Sequence, residues 1–176
     1  MFKRIFCTVM LFLALIFTNG CKVSYGLNGA TIPLEMKTIN VQFFENTAPL
    51  VVANLSQSFT EALKDRIRSQ TRLAIVRDPD ASGVFEGAIT GYTIAPAAVQ
   101  ATQGNQVPIA ALNRLTVTVK VKYTTTVKDA EKLNFEQSFS RYRDFSGEVA
   151  ANEQSLITQI NKDLTEDIFN RAFNNW

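Results

Sequence analysis

The chain has 176 residues and no histidine, and its 18 lysines and arginines nearly balance its 16 aspartates and glutamates. This length suits one domain with a substantial core, and the near-neutral charge argues against a nucleic-acid partner, which requires a strongly basic face. The absence of histidine excludes Ser-His-Asp and Cys-His catalysis and histidine-ligated zinc.

The N-terminus has the features of a signal peptide. Lys3 and Arg4 precede an apolar run, Ile5–Phe17, that is shorter than the ~20 residues of a membrane-spanning helix but long enough for a signal core. We predict that residues 1–20 are removed, which leaves a chain without net charge.

Cys21 follows the small residue Gly20, as the acylated cysteine of a bacterial lipoprotein follows its signal peptide. Thr18 stands where such signals usually carry an aliphatic residue, so a plain secretory signal is the alternative. Because Cys7 leaves with the signal peptide, Cys21 has no cysteine partner. We predict that Cys21 carries lipid and anchors the chain to a membrane. Lys22, rather than an aspartate, favours sorting to the outer membrane.

Residues 21–35 lack hydrophobic periodicity and contain glycine and proline, which predicts a tether ahead of a single domain, residues 36–176. The domain begins with an alternating segment, residues 36–44, which predicts a strand. Its apolar face is expected to carry Ile39, Val41 and Phe43.

A long helix is predicted next. Asn46 or Thr47 is expected to cap it, with Pro49 in the first turn and an end near residue 70. Apolar residues recur at every fourth position along it: Val51, Leu55, Phe59, Leu63 and Ile67. The segment LAIVR (73–77) predicts a second strand, parallel to the first because a helix connects them.

The middle of the chain predicts a strand and then a loop. Residues 83–96 form the third strand, in which Gly87 and Gly91 indicate a bend or a close contact. Residues 95–113 have little periodicity, which predicts a long loop.

The C-terminal part predicts a hairpin and a helix. Residues 114–127 alternate strictly, and residues 133–145 return as the hairpin partner, with Val119 opposite Phe139. The apolar face of the first of these strands carries Leu115, Val117, Val119, Val121 and Tyr123. A helix over about 152–173 follows, with an apolar stripe of Leu156, Ile157, Ile160, Leu164, Ile168, Phe169, Ala172 and Phe173.

Helices with one apolar stripe and strands with one apolar face can bury all of these surfaces if the helices pack on the apolar face of the sheet. We predict an α+β fold, a two-layer sandwich in which two α-helices pack on one face of a mixed β-sheet. Leu63 and Val119 are expected at the centre of the core, and the other face of the sheet is expected to carry Thr, Ser, Asn, Lys and Glu.

Catalytic motifs are lacking. Neither a phosphate-binding loop nor a dinucleotide-binding glycine motif occurs. The carboxylate pairs Glu61 with Asp65 and Asp78 with Asp80 are interpreted as solvated surface. We therefore predict no metal, no cofactor and no enzymatic activity, and interpret the chain as a binding or assembly protein.

Four sequence segments that follow the signal peptide in this order resemble the LptE-like lipoproteins of Gram-negative bacteria. They are LSQSFTEALKDRIRSQTRL, FEGAITGYTIAPAAV, ALNRLTVTVKVKYT and NFEQSFSRYRDF. The resemblance extends from about residue 24 to Trp176. It implies a lipoprotein on the periplasmic face of the outer membrane that plugs a large β-barrel, LptD, and helps it to assemble. It further implies that the pair delivers lipopolysaccharide to the outer leaflet without a covalent step. The alternatives are a stand-alone periplasmic lipoprotein that binds another envelope component, and a carboxylate-dependent enzyme.

Contacts with lipopolysaccharide phosphates require unpaired cations. The hairpin register pairs Lys122 with Glu136 and Arg114 with Asp144 on the open face of the sheet. The remaining basic residues of the hairpin have no acidic neighbour in this register, and we predict them as ligand contacts: Lys120, Arg141 and Arg143. For Lys120 the alternative is a solvated lysine that discourages association.

A second basic cluster lies near the end of the first predicted helix. It consists of Lys64, Arg66, Arg68 and Arg72. We attribute it to the favourable interaction of cations with the C-terminal end of a helix.

Overall fold

The computed structural model describes residues 32–50, 52–100 and 109–174. The predicted signal peptide, Cys21 and most of the predicted tether lie outside the described residues, as does Val51. The described elements are β1 (Thr38–Val41), β2 (Glu45–Asn46), α1 (Leu55–Gln70), β3 (Ala74–Ile75), β4 (Gly83–Gln100), β5 (Ile109–Thr125), β6 (Phe135–Phe145) and α2 (Val149–Phe173).

The strands form one mixed sheet in the order β3-β1-β4-β5-β6, with β2 also paired to β4. Strand β1 is parallel to both β3 and β4, so the predicted parallel β-α-β unit is confirmed. Strand β5 is antiparallel to both of its neighbours, β4 and β6. Together with the two helices, this sheet confirms the predicted α+β sandwich.

The core lies between the sheet and the two helices. Phe59 of α1 packs edge-on against Phe44 with ring centroids 5.1 Å apart, and Phe173 of α2 contacts Phe85 of β4 with centroids 6.2 Å apart. Leu63 and Val119 are both 0% exposed, as predicted. The predicted stripe of α2 is likewise buried throughout.

The hairpin register of β5 and β6 agrees with the prediction. Val119 faces Phe139 and Tyr123 faces Phe135, and all five predicted apolar residues of β5 are buried. Strict alternation specifies such a register, because a slip by one residue turns every apolar side chain to the wrong face.

The predicted single strand over residues 36–44 is wrong in its second half. Strand β1 ends at Val41, and the chain pairs again only at β2. This break interrupts the alternation, so Phe43 is 57% exposed and Phe44 is buried. The backbone N–H of Phe44 donates to Thr60 Oγ1 of α1 at 3.1 Å.

The predicted start of the first helix is also wrong, because α1 begins at Leu55. Asn46 and Thr47 have capping side chains, but they are used elsewhere. The Thr47 hydroxyl donates to the carbonyl of Ile89 at 3.0 Å, and Asn46 Oδ1 accepts from the N–H of Ala48 at 3.0 Å. The residue before the helix is Asn54, which adopts a left-handed conformation with φ 64° and makes no side-chain cap.

The predicted loop over residues 95–113 is wrong at both ends. Strand β4 continues to Gln100 and β5 begins at Ile109, and Gln100 pairs with Ile109. The small residues of this segment give a weak alternation, but pairing between neighbouring strands overrides local preference. Register shifts interrupt the ladder around Ala98.

Gly87 lies at a close approach of two strands, as predicted. A Cβ atom added there would lie 2.0 Å from the backbone oxygen of Lys120 on β5. Gly91 lies at a register shift of the β4–β5 ladder.

Candidate functional site on the open face of the sheet

The face of the sheet that points away from the helices is polar, and we call it the open face. Its residues alternate with the buried ones along β4, β5 and β6. They are Glu86, Ala88, Thr93, Arg114, Thr116, Thr118, Lys120, Lys122, Glu136, Ser138, Ser140, Tyr142 and Asp144. Hydroxyl groups pair across its centre, where the oxygens of Thr118 and Ser140 lie 3.1 Å apart.

Two ion pairs join three strands at one end of the open face. Lys122 Nζ donates to Glu86 Oε1 of β4 at 2.6 Å, which raises the pKa of Lys122. Lys120 Nζ lies 2.6 Å from Glu136 Oε1 of β6, and this hydrogen bond lowers the pKa of Glu136. The prediction that Lys120 is unpaired is therefore wrong, and the predicted pair of Lys122 with Glu136 is replaced by the pair with Glu86.

A shallow cleft of about 360 Å³ lies between these ion pairs. Gly87 and Ala88 form part of its lining. The other lining residues are Gln42, Glu86, Thr90, Lys120, Lys122 and Glu136. Since two ammonium groups face two carboxylates, the cleft is charge-balanced, and an anion that enters it has to displace a carboxylate from a lysine.

Arg114 and Asp144 form a bidentate ion pair at the other end of the open face. Arg114 Nε and Nη2 donate to the two carboxylate oxygens at 2.7 and 2.9 Å, as the sequence predicted for this pair. The guanidinium also stacks on the Tyr142 ring, 3.8 Å from its centroid. The hydrogen bonds lower the pKa of Asp144 and raise that of Arg114.

Arg141 and Arg143 lie on the opposite face of the sheet from Lys120. They face Val117 and Leu115, which are buried under the helices. Arg141 donates to both carboxylate oxygens of Asp167 on α2, with Nε 2.5 Å from Oδ2, and Arg143 pairs with Asp163 one helical turn earlier. The prediction that these arginines lack acidic neighbours is wrong, because their partners belong to α2. The structure does not bring the three predicted ligand residues together.

A second cleft, of about 580 Å³, lies where β1 and β3 end beside α1. Lys64 and Arg68 reach it from α1, and Arg77 follows β3. Lys64 pairs with Glu61 at 2.7 Å and Arg68 pairs with Asp65 at 2.7 Å. The attribution of Lys64 and Arg68 to the C-terminal end of the helix does not include this cleft. The feature of the sequence that could have predicted the basic lining of this cleft is the four-residue spacing of Lys64 and Arg68, with Arg77 after the next strand.

The described residues do not assemble a metal-binding centre. No group of three or more Asp, Glu or Cys side chains in the described ranges is placed to hold a metal ion. The Tyr92 hydroxyl donates to Glu153 Oε1 at 2.7 Å, and burial, followed by this bond, raises the pKa of Tyr92. Neither helix of the described part of the chain combines the length and apolar character needed to cross a membrane.

Solved structures with similar folds come from several bacteria. A hypothetical protein from Chlamydia trachomatis is 12% identical, with a TM-score of 0.52, over 79% of this chain and 99% of its own. A protein from Xanthomonas campestris is 10% identical, with a TM-score of 0.53, over 79% of this chain and 87% of its own. At these identities the likeness concerns the fold alone. A minor lipoprotein from Acinetobacter baumannii is 15% identical, with a TM-score of 0.46, over 77% and 91% of the two chains.

Sequence comparison identifies the family. The search of curated protein sequences found no match for this chain. The family model described as "LptE: Lipopolysaccharide-assembly" matches residues 36–172, which is nearly the whole predicted domain. The chain therefore belongs to the LptE family of lipopolysaccharide-assembly proteins.

Proposed function

We propose that this protein is an outer-membrane lipoprotein that plugs and helps to assemble an LptD-type β-barrel, and that the pair delivers lipopolysaccharide to the outer leaflet. The observation that carries the proposal is the family match over residues 36–172. The LptE family is a non-enzymatic lipoprotein family, and this supports a role in binding or assembly.

The open face of the sheet is compatible with a position inside a barrel. The interior of an outer-membrane barrel is polar. The ion pairs of Glu86, Lys120, Lys122 and Glu136 balance one another within the face, so it can enter such an interior without leaving a charge unpaired.

The lipid anchor and the domain organisation belong to the same proposal. Residues 1–20 act as the signal peptide, residues 21–35 as the tether and residues 36–176 as the domain on the periplasmic side of the membrane. Mass spectrometry of the mature N-terminus tests this directly, since it should give a terminal, acylated Cys21. An unmodified terminus at another residue contradicts it.

Lipopolysaccharide contact by Lys120, Arg141 and Arg143 stays a prediction. Since Lys120 lies on the open face and the two arginines face α2, they belong to separate surfaces. Lipopolysaccharide binding by the purified Lys120→Gln protein, compared with binding by Arg141→Gln, should distinguish them. If both proteins, and a variant that changes Lys120, Arg141 and Arg143 to Gln together, bind lipopolysaccharide as well as the wild type does, these residues are removed from the proposal.

The proposed function is tested by depletion in the source bacterium. Loss of the protein should leave the LptD-type barrel misassembled, so that the barrel no longer shows the altered electrophoretic mobility of a folded barrel in unheated samples. Re-expression of the wild-type chain should restore folding. A fully folded barrel in a strain that lacks the protein contradicts the assembly role.

A further inference from the structure

The cleft between α1 and the ends of β1 and β3, which we call the basic cleft, collects positive charge from two separate elements. Lys64 and Arg68 lie four residues apart on one side of α1, and Arg77 follows β3. Among the described residues that line the cleft, Glu61 is the only carboxylate. The lining therefore has a surplus of two positive charges, whereas the cleft on the open face is charge-balanced.

The existing ion pairs leave the cations of the basic cleft available to a ligand. Arg77 forms no ion pair with any described residue. Arg68 pairs with Asp65, but both side chains are more than half exposed, and such pairs contribute little to stability. Lys64, whose side chain is only 22% exposed, pairs with Glu61 within one turn of α1. An anion with stronger hydrogen bonds can therefore displace these carboxylates.

An aromatic side chain lines the same cleft. Strand β1 ends at Val41, and the break in the alternation leaves Phe43 exposed in the lining of the basic cleft. The core does not use the Phe43 ring, since the neighbouring Phe44 is the residue that is buried. Ile75 and Val76 add partly exposed apolar surface to the lining. An apolar group held in the cleft would shield these side chains from water.

These features specify the chemistry of a ligand. A surplus of two positive charges matches a phosphate monoester, which carries a charge of about −1.5 to −2 at pH 7. The guanidinium groups of Arg68 and Arg77 match the geometry of phosphate oxygens, and Lys64 supplies a third cation. The volume of about 580 Å³ is that of a pocket for a small organic molecule. A bare phosphate leaves the Phe43 ring uncovered, so we expect the phosphate to carry an apolar or aromatic group.

We propose that the basic cleft binds a phosphate monoester carried on an apolar or aromatic group. Lys64, Arg68 and Arg77 hold the phosphate, and Phe43 contacts the apolar part. The site is separate from the predicted lipopolysaccharide contacts on β5 and β6, and it does not depend on the proposed function. The phosphate belongs either to a soluble molecule or to a lipid headgroup, and the experiment distinguishes these two sources.

Isothermal titration calorimetry of the full-length, acylated protein in neutral detergent micelles tests the inference, with phenyl phosphate as the probe. Inorganic phosphate and phenol each lack one half of the probe and serve as ligand controls. The test variants are Arg68→Gln with Arg77→Gln, and Phe43→Ala. The matched control, Lys128→Gln with Lys132→Gln, removes the same charge at exposed positions outside the cleft. Circular dichroism checks that each protein folds.

We expect the wild type and the charge control to bind phenyl phosphate equally, and more tightly than inorganic phosphate or phenol. The double arginine variant should bind it about tenfold or more weakly, because charge-assisted hydrogen bonds to the phosphate are lost. Phe43→Ala should lose the preference for phenyl phosphate over inorganic phosphate. Glu61→Gln should bind about twofold to fivefold more tightly, because the competing carboxylate is removed, and a misfolded protein would not show this gain.

The inference is overturned if the wild type shows no saturable binding of phenyl phosphate, or if the folded double arginine variant binds it as well as the wild type does. Either result leaves the proposed function intact. Displacement of the probe by phosphatidic acid added to the micelles supports the site and assigns the phosphate to a lipid headgroup, whereas retention of the probe supports a soluble ligand. Displacement by lipopolysaccharide through the same residues overturns the inference, because the cleft then belongs to lipopolysaccharide transport.

Discussion

Glu136 lies directly opposite Lys122 in the β5–β6 register, but its carboxylate pairs with Lys120 at 2.6 Å. Lys122 pairs instead with Glu86 on the neighbouring strand β4, also at 2.6 Å. The charges thus alternate across three strands, and each lysine has a carboxylate partner. These two ion pairs make their end of the open face polar without giving it a net charge.

Acidification should destabilise the protein through the open-face carboxylates. The hydrogen bond from Arg114 lowers the pKa of Asp144, and that from Lys120 lowers the pKa of Glu136. In the unfolded chain these groups titrate near ~3.9 and ~4.3. Their contribution to stability is therefore fully present above those values and is lost as the pH falls through the lower pKa values of the folded state.

Thermal unfolding of the detergent-solubilised protein between about pH 6 and pH 2.5 measures this effect over the range in which carboxylates titrate. The Tm should fall most steeply at the acidic end. The double variant Asp144→Asn, Glu136→Gln should start from a lower Tm and show a smaller fall. A wild-type Tm that rises on acidification, or an identical fall in the double variant, contradicts the assignment.

Leu63→Ala should destabilise the core. Leu63 is 0% exposed between α1 and the sheet, so its truncation leaves a cavity and should lower the free energy of unfolding by about 2–5 kcal/mol. Gln57→Ala, at an exposed position of the same helix, is the matched control and should have little effect. Urea denaturation of the three proteins gives the comparison, and equal midpoints for Leu63→Ala and the wild type contradict the buried position.

Ser58→Ala should be more harmful than its partial exposure indicates. Asn161 on α2 is 2% exposed, and its Nδ2 donates to Ser58 Oγ on α1 at 2.7 Å, whereas its Oδ1 has no protein partner. Removing the hydroxyl leaves the buried amide without this acceptor, which should reduce the stability by about 1–3 kcal/mol. The double variant Ser58→Ala, Asn161→Leu removes both polar groups and should recover most of the loss. If the Ser58→Ala protein is as stable as the wild type, the hydrogen bond between Asn161 and Ser58 does not stabilise the contact between α1 and α2.

Gly87→Ala should strain the centre of the sheet. The added Cβ would meet the backbone oxygen of Lys120 at 2.0 Å and the Phe44 ring at 2.8 Å, so β4 and β5 have to separate. We expect a loss of about 1–3 kcal/mol, the range for overpacked positions. Thr90→Ala, at an exposed position of the same strand, is the control. A wild-type unfolding midpoint for Gly87→Ala means that the two strands do not approach closely at this position.

The sequence predicts the layers of the fold well where one apolar face dominates. The alternation from Leu115 to Tyr123 is enough to place Val119 opposite Phe139, and the apolar stripe of α2 is enough to bury Phe173. In both cases a shifted register or a rotated helix exposes several large side chains, so the pattern has one favourable solution.

The ion pairs of the site are not predictable from the hairpin alone. Lys122 has its partner on β4 and Arg141 has its partner on α2, so both contacts depend on packing against elements outside the hairpin. The prediction of where α1 begins is wrong for a related reason. Thr47 is a good capping residue, but its hydroxyl bonds to Ile89 in the sheet, and only the tertiary structure reveals that competition.

The amount of lipopolysaccharide on the cell surface is the most direct test of the central claim, that this member of the LptE family delivers lipopolysaccharide to the outer leaflet. Surface labelling is compared with total lipopolysaccharide after depletion of the protein and after re-expression of the wild-type chain. The account predicts that surface lipopolysaccharide falls while total lipopolysaccharide is maintained, and that the wild-type chain restores the surface fraction. Normal surface lipopolysaccharide in a strain that lacks the protein would contradict it.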